Sequence, residues 1–496
     1  MATTVSTPQT DTRFFGHPRG LATLFFTEMW ERFSYYGMRA ILILFMTAPA
    51  SSGGLGFSVA TAGVIYGLYT SMVYLMSVPG GWLADRVLGQ RRAVLYGGIG
   101  IVIGQFCLGV PGVASFYVGL IVLVLGTGLL KPNISTIVGK LYAEGDVRRD
   151  AGFSVFYMGI NIGATIAPLV VGYVGQRINW NLGFVLAGFG MVIGLIQYVL
   201  GKRYMGEAGL EPIRPETPEA RARQSRLMWA GAGAFALLIG VPAMLQAAGL
   251  IHLTAAAVGD AGGVMLVAVS IGVFAWLLSS KGWTPVERKR ILAMVALFVA
   301  CALFFAAYEQ AGSTLTLLAD RSTDNHALGW AFPSSWYQSL SAVFVVALAP
   351  VFAILWIGLG KREPSIPVKF ALGLLLVGLG FAVVGVGALR AASGIKISPM
   401  WLVVTYFVHV CGELCLSPVG LSAFTKLAPA KVASLMMGVW FLGISAGEYI
   451  GGIFGSLYES FSPQSLFAIV AAFSIGAGVI MGLLVKPLKR LMGGVN

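Results

Sequence analysis

The chain has 496 residues, 57% of them hydrophobic and only 11% charged; a soluble domain carries about a quarter charged residues, so a water-soluble fold is excluded. The net charge of +13 does not mark a nucleic-acid binder, because the basic residues are spread among loops between apolar stretches. All four cysteines, Cys107, Cys301, Cys411 and Cys415, fall in apolar segments, as buried thiols do, and no disulfide or redox chemistry is implied.

The arm at 1–19 begins MATTVSTPQT, without the basic region and cleavage site of a removable signal peptide, so the first helix reads as the anchor. Six helices are predicted near 20–49, 58–84, 92–112, 113–140, 149–175 and 179–200, each long enough to cross a hydrocarbon core of about 30 Å. They form a first bundle over 20–200. A polar linker over 201–226 leads into two inserted apolar helices, near 227–248 and 258–280, which with the following loop occupy 227–285. A second bundle over 286–490 holds helices near 286–320, 332–360, 366–394, 398–427, 429–459 and 464–488, followed by a tail at 491–496. The expected class is an all-α polytopic membrane protein with 14 transmembrane helices, two six-helix bundles plus two inserted helices.

If the N-terminus is cytoplasmic, 26 of the 33 lysines and arginines fall in cytoplasmic segments, four in outer loops and three within helices. That asymmetry places both termini in the cytoplasm. Six plus six helices joined by a cytoplasmic linker is the pattern of a transporter with two parallel repeats around a central site.

Charges interrupt the apolar segments. In EMWERFSYYGMR (28–39), at about 100° per residue, Glu28, Glu31, Arg32, Tyr35, Tyr36 and Arg39 share one face about 140° wide. Lys131, Glu309, Glu413 and Glu448 are further intramembrane charges, each costing roughly 3 kcal/mol at a helix centre before pairing. Interior salt bridges account for some of this; a transport pathway accounts for the set as a whole. Glu448 stands near an outer helix end and either lines the pathway or reaches that end. The mixture of signs fits a zwitterion. Lys131 and Arg39 come from the first six helices, Glu309 and Glu413 from the second six, so a bridge between them could open and close as the halves rock.

EMWERFSYYG resembles the ExxERFxYYG motif of the proton-dependent oligopeptide transporter family, in the major facilitator superfamily. The resemblance extends through GGWLADRVLGQRR (80–92), GTGLLKPNIS (126–135), FSVFYMGINIGATIAP (153–168), EQAGSTL (309–315), GELCLSPVGLS (412–422) and MMGVWFLGISAG (436–447), and the inserted helices resemble those of the bacterial branch. It implies a major facilitator superfamily fold in the bacterial cytoplasmic (inner) membrane. The implied activity is symport of di- and tripeptides with protons, by a chain that works as a monomer with no cofactor beyond the coupling proton. It also implies proton coupling at Glu28, Glu31, Arg32 and Glu309, the last pairing near Arg39 in gating. By the same resemblance Arg39 and Lys131 receive the peptide carboxylate, Glu413 with Asn161 receives the amino terminus, and Tyr35, Tyr36, Tyr74 and Trp440 line the pocket; Tyr66 and Tyr69 compete with Tyr74 in the alignment. Ser341 and Ser445 complete the expected peptide site. Ser341 and Ala342 stand where the family more often has Asn then Pro, so a hydroxyl replaces an amide at the amino-terminal end. No histidine stands in helix two, so coupling rests on carboxylates.

Some residues keep two readings. His409, four residues before Glu413, is a proton relay or a hydrogen-bonded structural histidine. Pro132, Pro168 and Pro418 either hinge their helices or merely kink them. The NIS triplet at Asn133 falls inside a helix and is discarded as a glycosylation site. There is no HExxH, nucleophile elbow or P-loop to support an enzyme. The remaining alternatives are transport of another small charged solute, such as nitrate or an amino-acid derivative, against which Glu413 speaks, and a peptide sensor that moves nothing.

Overall fold

A computed structural model describes residues 12–143, 145–212, 217–327 and 329–495; the first eleven residues of the arm, part of the linker and the last residue of the tail lie outside these. Backbone amides in lipid must find partners within their own segment, and the chain answers with helices nearly throughout. In chain order these are α1 (Arg19–Thr47), α2 (Val59–Leu88), α3 (Gln90–Gly109), α4 (Val113–Lys140), α5 (Arg149–Arg177), α6 (Trp180–Met205), α7 (Pro218–Ala247), α8 (Ala255–Ser279), α9 (Pro285–Ser322), α10 (Ser334–Arg362), α11 (Ile366–Ala391) and α12 (Met400–Leu427). Then come α13 (Ala433–Ser456), α14 (Pro463–Leu483) and a short amphipathic α15 (Val485–Met492). Thirteen of them, α2 to α14, are long and apolar enough to cross a membrane; α1 is as long as these, and its charges are what set it apart. A two-residue hairpin, His326↔Ala331 in register, sits in the loop after α9.

Counted with α1 the apolar helices number fourteen among the described residues, an even number, so the two described ends fall on one side of the bundle, here the terminal side, opposite the far side. In the first six helices α3 packs on α4 and α6, and α1 on α5 and α6; in the last six α11 packs on α12 and α14, and α9 on α13. Across the two sets α2 runs along α13 and α5 meets α10. The α2–α13 seam is closed by glycine: a methyl group at Gly67 would stand 2.4 Å from the Cα of Gly452. Helix–helix attraction in lipid rests on such close packing.

Two sequence expectations change. The first inserted helix begins at Pro218 rather than near 227, because Thr217 caps it by accepting from the Ala220 amide and Pro218 suits the first turn. Its polar first turns reflect that cap signal, which hydropathy overlooks. None of the described residues of α7 is buried, whereas α8 lays Gly259 and Gly263 against Val64 of α2 and Tyr449 of α13.

The second change is in α9. It is not one helix over 286–320: an α-helix to Tyr308 gives way to a 3-10 turn over Glu309–Gly312, then resumes at Thr314. No proline causes the break. Hydroxyls take over the freed backbone, with Thr316 Oγ1 donating to the Ala311 carbonyl at 2.7 Å and Tyr406 OH to the same carbonyl at 3.3 Å. Glu309 is thereby placed at a helix break rather than along a helix face.

At the terminal side the described end of the N-terminal arm, Phe14 to His17, lies against the bundle. His17 is buried and its Nδ1 lies 2.9 Å from the Tyr142 hydroxyl. Burial, then the nearby Arg148 charge, push its imidazole below its ordinary value. The undocked arm therefore protonates first as the pH falls, and docking weakens on acidification below about 6.5. Amide hydrogen exchange of the arm should quicken across that range, and His17→Gln should flatten the response.

Candidate functional site

α1 carries its charged stripe inward, as its spacing predicts. Glu28, Glu31 and Arg32 are each no more than 4% exposed. The Arg32 Nε lies 3.1 Å from Glu28 Oε1 and 2.5 Å from Glu31 Oε2, so one guanidinium serves two carboxylates. Glu28 Oε2, Glu31 Oε1 and Arg32 Nη2 keep no hydrogen-bond partner. An arrangement with spare valences on both charges at this depth is poised to trade a proton or a partner. The guanidinium also stands 5.4 Å from the centre of the Tyr35 ring.

One and two turns further along α1, Tyr35 and Tyr36 meet edge to face, and Arg39 leaves its own half of the molecule. Its Nη2 forms an ion pair with Glu309, its Nε donates to the Tyr66 hydroxyl at 2.6 Å, and all three residues are buried. This ion pair spans the two sets of helices. Around it, toward the far side, the sets are joined by Gln176 of α5 to Ser334, by Trp336 Nε1 to the Leu169 carbonyl at 3.0 Å and by Ser339 Oγ to the Thr165 carbonyl at 2.7 Å. Ser71 and Ser445 close mid-depth of the α2–α13 seam, their hydroxyls 2.9 Å apart.

Lys131 is half-buried on α4 with its Nζ 3.5 Å from the centre of the Tyr74 ring, a cation–π contact. That ring stacks on Phe441 of α13. Of the three tyrosines that compete in the sequence, Tyr74 holds Lys131, Tyr66 holds Arg39, and Tyr69 is buried with its hydroxyl unbonded. Glu413 of α12 is half-buried and accepts a hydrogen bond from the Tyr308 hydroxyl.

Other expected site residues are engaged in packing here. Asn161 is buried and its Nδ2 donates to the Tyr157 carbonyl one turn back. Trp440 is buried edge-on to Phe424 and over Gly420. Ser445 is fully buried, both receiving and giving bonds at Ser71. Ser341 is half-buried on α10. His409 is buried between the Phe381 and Tyr308 rings with Nε2 unpartnered. Glu448 does not reach an outer end: it is 2% exposed, and neither carboxylate oxygen has a hydrogen-bond partner. Tyr308 went unnoticed in the sequence, although its place one residue before Glu309 and its aromatic hydroxyl in an apolar helix mark it. Ser71 carried no such signal.

A polytopic transporter of the major facilitator fold, with a charged site buried between two sets of six helices, is the class these features define. The model of the POT family matches residues 91–470, and the chain belongs to that family; it is a transporter and not an enzyme. It is similar to the di-/tripeptide transporter of Lactococcus lactis subsp. cremoris, 40% identical over 499 residues that cover 98% of this chain and 99% of the relative. A solved peptide transporter POT in complex with sulfate is 45% identical with a TM-score of 0.92 over 98% of each chain. A POT family transporter in complex with 5-aminolevulinic acid is 35% identical with a TM-score of 0.89, covering 97% of this chain and 98% of that one.

Proposed function

We propose that this transporter imports di- and tripeptides together with protons by alternating access, gripping the two peptide termini with charges of opposite sign. The observation that carries the reading is the Arg39–Glu309 pair, a buried charge pair joining the two sets of helices, with Lys131 and Glu413 offered from opposite sets.

Short peptides share only their ends, so a site that accepts many side chains grips those ends. Lys131 and Arg39 receive the carboxylate by charge-assisted hydrogen bonds, and Glu413 receives the ammonium; Tyr35, Tyr36 and Tyr74 supply adaptable walls. Ser341, Asn161, Trp440 and Ser445 support the pocket at its edges. The bundles at 20–200 and 286–490 rock as bodies, and the contacts from Arg39 to the far side form the closed gate, which leaves the terminal side as the open one. Glu28, Glu31, Arg32 and Glu309 couple protons: each carboxylate favours its charged form beside its arginine and its proton when that partner is drawn away. A proton entering down 100 mV supplies about 2.3 kcal/mol, roughly fiftyfold accumulation of a zwitterion. The protein works as a monomer in a bacterial cytoplasmic membrane, with both termini in the cytoplasm. An amino acid derivative such as 5-aminolevulinic acid presents the same two ends, and competition against dialanine ranks the two.

Labelled dialanine should accumulate in proteoliposomes under an inward proton gradient; nitrate uptake in place of dialanine uptake overturns the reading. Glu413→Gln is expected to weaken dialanine binding about tenfold or more, the worth of a hydrogen bond to a charged group, while leaving binding of N-acetyl-dialanine, which has no ammonium, unchanged. Competition in counterflow measures both; equal weakening of the two would remove Glu413 from the ammonium.

A further inference from the structure

Glu448 is a buried acid that the scheme above does not use. It sits on α13 between two layers of the seam with α2: Ser445, three residues before it, bonds Ser71 at 2.9 Å, and Gly452, four residues after it, lies against Gly67. Both carboxylate oxygens are buried without a hydrogen bond of normal geometry, and the Thr70 hydroxyl beside them is given to the Tyr66 carbonyl at 3.0 Å. A carboxylate without a hydrogen bond in a dry, membrane-deep seam costs far more than a neutral carboxyl group unless nearby cations offset it, so the closed seam holds Glu448 as the acid while a peptide carboxylate occupies Lys131 and Arg39. The groups around it are Tyr35 and Arg39 from α1, Tyr66, Thr70 and Tyr74 from α2, Lys131 from α4 and Glu309 from α9. Two of these are the cations offered to the peptide carboxylate, and Arg39 is already held by Glu309.

We infer that Glu448 is a further proton-carrying residue of the transport cycle, loaded when the α2–α13 seam parts and sealed as the acid when it closes. The inference rests on the symport reading. Opening the far side must separate α2 from α13, since their glycines touch there; water then reaches the carboxylate, and a hydronium ion gives it a proton, leaving the carboxylic acid and water. Closure strips the water and keeps the proton. When the peptide leaves on the terminal side, Lys131 and Arg39 lose its carboxylate; their field draws the proton off Glu448 into the water of the open side, and the acid returns to a carboxylate. Proton exit is thereby tied to peptide exit.

The test is the proton-to-peptide ratio of the full-length protein in proteoliposomes, read from the membrane potential at which dialanine flux reverses, for wild type and Glu448→Gln. Reversal is set by the ratio and not by the rate. The variant is expected to lose about one proton per peptide, which is roughly fiftyfold less accumulation at 100 mV. An unchanged ratio overturns the inference and leaves Glu448 a neutral packing group. Absence of any gradient-driven accumulation in wild type overturns the symport reading itself, and this inference with it. If Glu448→Gln does not assemble, Glu448→Asp keeps a carboxyl group but shortens it. A shifted pH for half-maximal coupled uptake then supports the inference, and an unmoved one overturns it.

Discussion

Glu31→Gln is expected to reduce gradient-driven accumulation of dialanine from roughly fiftyfold per proton at 100 mV to none, because Glu31 makes the short contact with the single guanidinium of the α1 cluster. Its Oε2 stands 2.5 Å from Arg32 Nε while Glu28 Oε1 stands at 3.1 Å. An amide keeps the shape of that side chain but has neither a charge nor a group that titrates, so Arg32 is left to Glu28 alone and no longer has two carboxylates between which to shift. The comparison is uptake into proteoliposomes with and without an inward proton gradient. Undiminished accumulation in Glu31→Gln would take proton coupling away from this residue and leave the charged stripe a packing device.

Arg39→Met should destabilise the protein by about 3–5 kcal/mol, and adding Glu309→Gln should restore most of that loss. Removing one partner of a buried ion pair strands the other charge without water, whereas removing both leaves neutral groups of similar volume. Here the stranded group would be Glu309, at a helix break and close to Glu448, another carboxyl group without a hydrogen bond. The Tyr66 hydroxyl would also lose its donor at 2.6 Å. Thermal unfolding in detergent of wild type, the two single variants and the double variant completes the cycle. A double variant no more stable than Arg39→Met would show that the pair is not what joins α1 to α9.

Much of this was legible in the residues themselves. Apolar runs long enough to cross a bilayer are a one-dimensional property, so the spans could be read in order, and the charged face of α1 follows from its 3.6-residue period, with Glu28, Glu31, Arg32 and Arg39 emerging buried on one side. The family is legible in motifs such as EMWERFSYYG. The TPEA cap before α7 was legible too, but hydropathy passes over a helix that starts in water.

What the tertiary structure decided is which partner each charge has. Arg39 and Glu309 are separated by 270 residues, and no local pattern states that a guanidinium on α1 meets the broken end of α9. The break itself depends on hydroxyls, Thr316 from within and Tyr406 from α12, that only packing brings to the Ala311 carbonyl. Ser445, expected in the pocket, is drawn into the seam by Ser71, and Glu448, which the sequence left either to the pathway or to an outer end, is sealed between that serine pair and the glycines that let α2 and α13 touch. Sequence determines which groups must leave lipid, because transfer cost belongs to each residue; only the fold determines where they go, because pairing belongs to two.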